Sequence, residues 1–202
     1  MQKTLNSDVE APNVPSDGVS CIAVNGNEES FTNMLVMASW DGTVSAHEVT
    51  SKEGGDRRTF VEKIELKSHI KHEAPVLSCA VHNTTVVSGG CDRTVKMWDV
   101  AAGQKEFTLG THQAPVRNVK FVSELGVVVT GGWDKCIKVW DPRQPNQAAA
   151  EMALGERVFA MDCSGSMLAL FRLPLSSEFS LSFSHPLLLL LLLFPFSHWL
   201  FD

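Results

Sequence analysis

The feature that most restricts the fold is that the chain repeats itself. Residues 72–100 (HEAPVLSCAVHNTTVVSGGCDRTVKMWDV) align with residues 112–142 (HQAPVRNVKFVSELGVVVTGGWDKCIKVWDP). His72 and His112 stand 40 apart, as do Pro75 and Pro115; Asp92 and Asp134 stand 42 apart, as do Trp98 and Trp140. A weaker copy precedes them in VSCIAV (19–24) and LVMASWDGTVSAHEV (35–49), where Asp41 lies 51 before Asp92. The polar stretch from Thr50 to Arg58 takes up the excess and reads as a loop. A fourth copy opens at ERVFAMDCSGSMLAL (156–170) and then stops matching. A fixed period implies stacked units, none of which can bury its faces alone.

Each unit reads as strands. APVLSCAV, TVVSGG, TVKMWDV and KEFTLGT are short, alternating and rich in β-branched residues, with Gly, Asn and Asp between them. Cys91-Asp92-Arg93 and Trp133-Asp134-Lys135 fall between the second and third strands, where tight hairpin turns belong. Four strands per period of about 40 residues describe propeller blades. The expected fold is therefore all-β: a partial propeller with blades at 18–67, 72–111 and 112–154 and the start of a fourth at 155–170, after a leader at 1–17. A seven-bladed propeller needs roughly 280–300 residues, and the sequence has 202. An open arc leaves two raw faces, so poor solubility, partner dependence or self-association is expected. A truncated product without independent function is a standing alternative.

The segment 171–202 differs in composition. It holds seven consecutive leucines, Leu187–Leu193, with Ser, Phe and Pro around them, and no Lys after Arg172. Three readings stay open: low-complexity sequence outside the repeats, a buried core segment, and a membrane anchor. The apolar run from Leu187 to Phe194 is shorter than the ~20 residues a spanning helix needs, and no basic cluster flanks it. A membrane partner is therefore not expected. The N-terminus has no apolar core of a secretory signal. A net charge of −6 argues against a generally basic nucleic-acid binder. Five cysteines without a CxxC pair argue against a disulfide framework or zinc finger and favour a reducing compartment.

A polar set recurs with the blades. His72, Ser88, Asp92 and Trp98 occupy places equivalent to His112, Thr130, Asp134 and Trp140. The Asp can accept from the His, the hydroxyl can bridge, and the buried indole N–H needs a partner. A His/Asp/Ser set also fits a hydrolase triad. Its double occurrence at the blade period, its ending in Trp and the absence of a nucleophile elbow favour a structural role. No catalytic residue, metal site or cofactor is expected, and the chain reads as a non-enzyme. His69 and His72 are three apart but have no further ligands around them in sequence. The first unit has His47-Glu48 where Trp-Asp would fall, so that blade is expected to be held less tightly.

These residues resemble the WD-repeat family. SWDGTVSAHEV, GGCDRTVKMWDV, THQAPVRNVKF and VTGGWDKCIKVWDPRQPN are similar to the paired subfamily of the nuclear-pore mRNA export factor and the mitotic-checkpoint propeller. The leader from Asp8 to Pro12 and KMWDV lean to the export branch; GTHQAPVR and WDPRQPN lean to the checkpoint branch. The resemblance covers roughly residues 8–170. It implies a scaffold for nuclear mRNA export that docks short motifs of nucleoporin-type partners, at the nucleus and its pore. The alternative is a spindle-checkpoint adaptor meeting checkpoint kinases or kinetochore repeats, at the kinetochore or in the cytoplasm. Trp40 and Trp133 match the family's exposed top-face tryptophans, which offer rigid amphipathic anchors for a peptide. The competing reading is an indole lying across the neighbouring blade.

Other features have plainer readings. Arg57, Arg58, Lys63, Lys67 and Lys71 could touch phosphates and give an indirect RNA association, but interleaved Glu53, Asp56, Glu62 and Glu65 favour a solvated mixed-charge loop. Arg143 is expected to fix a strand-exit turn. Cys21, Cys79, Cys136 and Cys163 read as small core residues, and Cys91 as an inert thiol in a turn.

Overall fold

The computed structural model describes residues 9–25, 32–53, 59–103, 105–164, 167–171 and 194–195. Every regular element among them is a β-strand. The first sheet comprises β1 (Val19–Asn25), β2 (Thr32–Ser39), β3 (Thr43–Glu53) and β4 (Thr59–Lys71). The second comprises β5 (Val76–His82), β6 (Thr85–Gly90), β7 (Thr94–Asp99) and β8 (Phe107–Thr111). The third comprises β9 (Val116–Val122), β10 (Val127–Gly132), β11 (Cys136–Trp140) and β12 (Ala148–Ala153). A fourth sheet holds β13 (Ala160–Ser164), β14 (Met167–Phe171) and β15 (Phe194–Pro195). Within each sheet the strands pair antiparallel in chain order. Short β-branched runs cut by turn residues leave the chain this meander as its simplest solution.

The sheets stack as blades, and the stacking explains the apolar runs. Val36, Ala38, Val44 and Ala46 of the first blade meet Val76, Cys79, Val86 and Trp98 of the second. The second blade's other face, with Val87, Val95, Met97 and Leu109, meets Val116, Val119, Val128 and Trp140 of the third. The third then packs Val129, Ile137 and Val139 against Val158 and Met161. A middle blade is thus buried on both faces, so β6 and β10 cannot alternate apolar with charged residues. Val86 and Val87 point into different cores and both are 0% exposed. Each such side chain contributes about 1.5–3 kcal/mol by leaving water, which makes the seams between blades the main source of stability. The first strands, β1, β5, β9 and β13, line a groove on one side of this stack.

Two sequence expectations need correction here. The stretch from Thr50 is not all loop: β3 continues to Glu53, with Thr50 opposite Lys63 and Lys52 opposite Phe60 on β4. The polar residues alternate along the strand, and a period of two in charged residues carries no apolar signal to mark it as one. For the same reason Lys63, Lys67 and Lys71 lie on β4 rather than in a loop. Lys67 pairs with Glu48 at 2.5 Å and Glu65 at 3.1 Å, and Lys63 pairs with Glu65. Arg57 and Arg58 lie outside the described residues, as does the segment 171–202 apart from Phe171 and the backbone of β15. No helix in the described residues is long and apolar enough to cross a membrane.

Candidate functional site

Each blade joins its second and third strands by the same turn. Asp41, Asp92 and Asp134 direct Oδ1 to the backbone N–H two residues on, at Thr43 (2.7 Å), Thr94 (3.0 Å) and Cys136 (3.2 Å). The residue after the aspartate has a positive φ, +86° at Gly42, +67° at Arg93 and +68° at Lys135. Only Gly42 takes this conformation without a Cβ penalty; the two basic residues carry a cost of order 1 kcal/mol each. The residue before the aspartate is pinned by its own N–H, which donates to Gly18, Pro75 or Pro115 at 3.0, 2.7 and 2.9 Å for Trp40, Cys91 and Trp133. The turns are therefore rigid presenters of whatever side chain precedes the aspartate.

What they present differs. Trp40 is 50% exposed, among the most exposed large apolar side chains described. Trp133 is partly buried, and its Nε1 is enclosed without a hydrogen-bond partner. Cys91 is half-buried, and burial together with the Asp92 charge pushes its thiol up. The identical Trp-Asp dipeptides gave no hint of this difference.

Behind each turn lies the polar set. In the third blade His112 Nδ1 is 2.9 Å from Asp134 Oδ2, and His112 Nε2 is 2.7 Å from Thr130 Oγ1. Trp140 Nε1 donates to the same Thr130 oxygen at 2.8 Å. The carboxylate can only accept, so Nδ1 carries the proton and Nε2 accepts from the Thr130 hydroxyl. Burial lowers the His112 imidazole below its ordinary value more than Asp134 raises it, in keeping with a neutral ring. In the second blade His72 meets Asp92 at 2.7 Å and Ser88 at 2.8 Å. Trp98 does not join: its Nε1 is buried and has no partner. An orphaned donor of this kind costs about 1–3 kcal/mol. Burial raises the Asp92 carboxyl, but hydrogen bonds from His72 and Thr94 outweigh it and hold the group low.

The first blade solves the problem differently. Met37 stands where Ser88 stands in the second blade, and no histidine precedes β1 in the described residues. Ser16 takes the histidine's part, donating from both its N–H and its Oγ to Asp41 Oδ2 at 2.9 Å. Burial raises the Asp41 carboxyl, but Thr43 and Ser16 hold it far below the usual range. His47, at the Trp position, is 0% exposed and donates from Nε2 to the carbonyl of Pro12 at 2.9 Å. The leader is thus fastened to this blade by residues that sequence comparison passed over, because Ser16 has no counterpart in the other units. At the third blade's exit, Arg143 forms a bidentate pair with Asp141, with Nη2 at 2.7 Å.

The Asp–His–hydroxyl geometry is that of a hydrolytic triad, yet Ser88 and Thr130 are both 0% exposed. No carbonyl of a substrate can approach an oxygen sealed between two blades. The arrangement ties each turn to the strands behind it.

The WD domain, G-beta repeat family matches residues 63–99 and 103–141. Each matched unit begins on the last strand of one blade, or just before it, and ends on the third strand of the next, so the sequence repeat and the structural blade are out of phase by one strand. The chain is 33% identical over 172 residues to the WD40 repeat protein poxJ of Penicillium oxalicum, covering 83% of this chain and 46% of that protein. It is 34% identical over 168 residues to the Poly(A)+ RNA export protein of Schizosaccharomyces pombe, covering 81% and 44%. It is 32% identical over 169 residues to the mRNA export factor GLE2 of Chaetomium thermophilum, covering 82% and 44%. The chain thus spans a little under half the length of these relatives. Among solved structures, the computationally designed Ika4 protein superposes with a TM-score of 0.57 at 21% identity, covering 79% of this chain and 88% of that one. The WD40 beta propeller domain of Doa1 superposes with a TM-score of 0.52 at 18% identity, covering 78% and 52%, and shares the fold. With its blades, turns and matched repeats in agreement, this chain carries WD repeats in a propeller-type fold and is similar over most of its length to the Poly(A)+ RNA export protein and the mRNA export factor GLE2.

Proposed function

We propose that the chain is a non-enzymatic adaptor of poly(A) RNA export that docks short peptide motifs of nucleoporin-type partners at the Trp40 turn. The supporting observation is Trp40 itself: a half-exposed indole on a turn held by backbone and carboxylate hydrogen bonds. A large, rigid, amphipathic side chain loses little entropy on binding and gains its apolar area. Trp133, set deeper in the equivalent turn of the third blade, is a second candidate contact for such a peptide. The relatives' names, Poly(A)+ RNA export protein and mRNA export factor, support the process, and a site of action at the nucleus and its pore goes with it. RNA association is indirect, because Lys63 and Lys67 of β4 pair with carboxylates, and Lys71 meets the Thr43 hydroxyl. The buried polar sets of the second and third blades serve the turns, and no chemistry is assigned to them.

The experiment is capture on an immobilised nucleoporin-derived peptide, beside a phosphorylated kinetochore repeat. Retention on the first, lost at least about tenfold in Trp40→Ala with an unchanged thermal melt, is the expected result. Retention on the kinetochore repeat alone would assign the chain to the checkpoint branch. Hydrolytic turnover that disappears on His112→Ala, with folding intact, would overturn the adaptor reading altogether.

A further inference from the structure

The first strands of the blades line a groove of about 400 Å³, a volume in the range of small-molecule sites. Cys21 on β1 and Cys79 on β5 face each other along its wall. Each sulfur lies 3.8 Å from the backbone carbonyl oxygen of the other cysteine. They stand one register position apart on adjacent inner strands: Cys21 pairs with Ala38 and so matches Ser78, whereas Cys79 pairs with Ser88 and matches Ile22. The third blade has Asn118 and Val119 at those two places, so the pair joins only the first two blades.

The pair is chemically asymmetric. Cys79 is 4% exposed and lies in the core between the blades, whereas Cys21 is half-buried and borders the groove. A hydrogen bond from the Cys79 thiol, opposed by burial and helped by the Cys79 N–H, the Ser78 hydroxyl and the charge of Lys120, lowers Cys21 to about 6. The same hydrogen bond, burial and the Cys21 charge hold Cys79 well above the ordinary value. Burial pushes up each of the remaining thiols, Cys91, Cys136 and Cys163. Of the five cysteines, Cys21 is the one whose thiol gives up its proton most readily, with the Cys79 thiol against it. Arg117 and Lys120 from β9 border the same groove and give it a basic lining, with Lys120 also meeting Asp162 at 2.8 Å.

We propose that Cys21 is a reactive thiol that takes an anionic low-molecular-weight disulfide of the glutathione class from the groove, and that Cys79 resolves the adduct into a disulfide joining the first two blades. In the first step the Cys21 thiolate attacks one sulfur of the oxidised reagent, its S–S bond breaks, and one glutathione thiolate leaves. In the second step Cys79, deprotonated as that thiolate takes up its proton, attacks the Cys21 sulfur. The mixed disulfide breaks, the intramolecular S–S bond forms, and the second glutathione leaves. Two protein thiols are oxidised and one glutathione disulfide is reduced to two thiols. Excess reduced glutathione reverses both steps. The bond would close a loop of 58 residues across a blade seam and hold the first blade against the second.

The test uses the reduced full chain, oxidised glutathione at neutral pH, and peptide mass mapping. The expected product is a linked pair of peptides carrying Cys21 and Cys79, with the other three thiols free. Oxidation should raise Tm by roughly 5–15 °C. Cys79→Ser, or Cys79→Ala where the serine variant folds poorly, should stop at a Cys21–glutathione adduct. Alkylation by iodoacetamide at pH 7 should be about tenfold faster at Cys21 than at any other cysteine. Modification appearing first at Cys91, Cys136 or Cys163 would overturn the proposal, as would failure of the unmutated chain to form the Cys21–Cys79 link.

Discussion

Replacing Thr130 with valine should expose what the third blade's tetrad contributes. Valine has nearly the shape of threonine, so no cavity opens, and it suits a strand slightly better. Only the hydroxyl is removed. Two buried partners lose it: Trp140 Nε1, which donates to it at 2.8 Å, and His112 Nε2, which accepts from it at 2.7 Å. Both side chains are at most 3% exposed, so water cannot replace the bond. At about 1–3 kcal/mol for each orphaned group the variant should lose about 2–5 kcal/mol. For a chain of this length that is a fall in Tm of about 4–20 °C. Ser88→Ala is the internal control. There only His72 Nε2 loses a partner, because Trp98 Nε1 has none to lose. Its cost should be about 1–2 kcal/mol. Equilibrium urea unfolding followed by tryptophan fluorescence and far-ultraviolet dichroism measures both variants on one scale. If Thr130→Val cost no more than Ser88→Ala, the account of the tetrad as a continuous proton-ordered chain would be wrong.

Two further perturbations follow from the packing and the buried charges. Gly110 lies against the face of Trp140, where a Cβ would collide with the ring, so Gly110→Ala should cost about 1–3 kcal/mol, read as a lower urea midpoint; an unchanged midpoint would show that the indole has room to move. Acid should weaken the fold in two stages. The His112 imidazole is lowered from 6.5 by burial, and the unfolded chain binds that proton more readily, so stability is lost as pH falls below 6.5. The Asp41 and Asp92 carboxyls, held below 3.8 by hydrogen bonds that outweigh burial, add a second loss below about pH 4. Urea midpoints from pH 8 to 3 check the sign, and a gain in stability between pH 6.5 and 5 would contradict it.

Much of the fold was legible because its cause is local. The strands of the second and third units, from Val76–His82 to Ala148–Ala153, coincide with runs whose β-branched composition and turn residues act over a few residues at a time. The repeat of His, hydroxyl, Asp and Trp likewise placed those side chains on one strand, one turn and the next strand without reference to anything distant. The outer strands of the first blade were missed because charged residues at a period of two carry no apolar signal, although Lys63, Lys67 and Glu65 pair just as the pleat requires.

By itself, then, the sequence determined the period, the strand order and the turn chemistry, since hydrogen bonds within a blade depend on neighbours close in the chain. Tertiary structure alone decided what depends on the next blade or on the leader. It left the Trp98 indole unpaired while Trp140 found Thr130, and it set Trp40 in water while half-covering Trp133. It gave Asp41 the Ser16 donors in place of a histidine, and it brought Cys21 against Cys79 from 58 residues away. A repeat writes the same residues into each unit, but each unit meets a different surface, and burial and partnership are set at that surface.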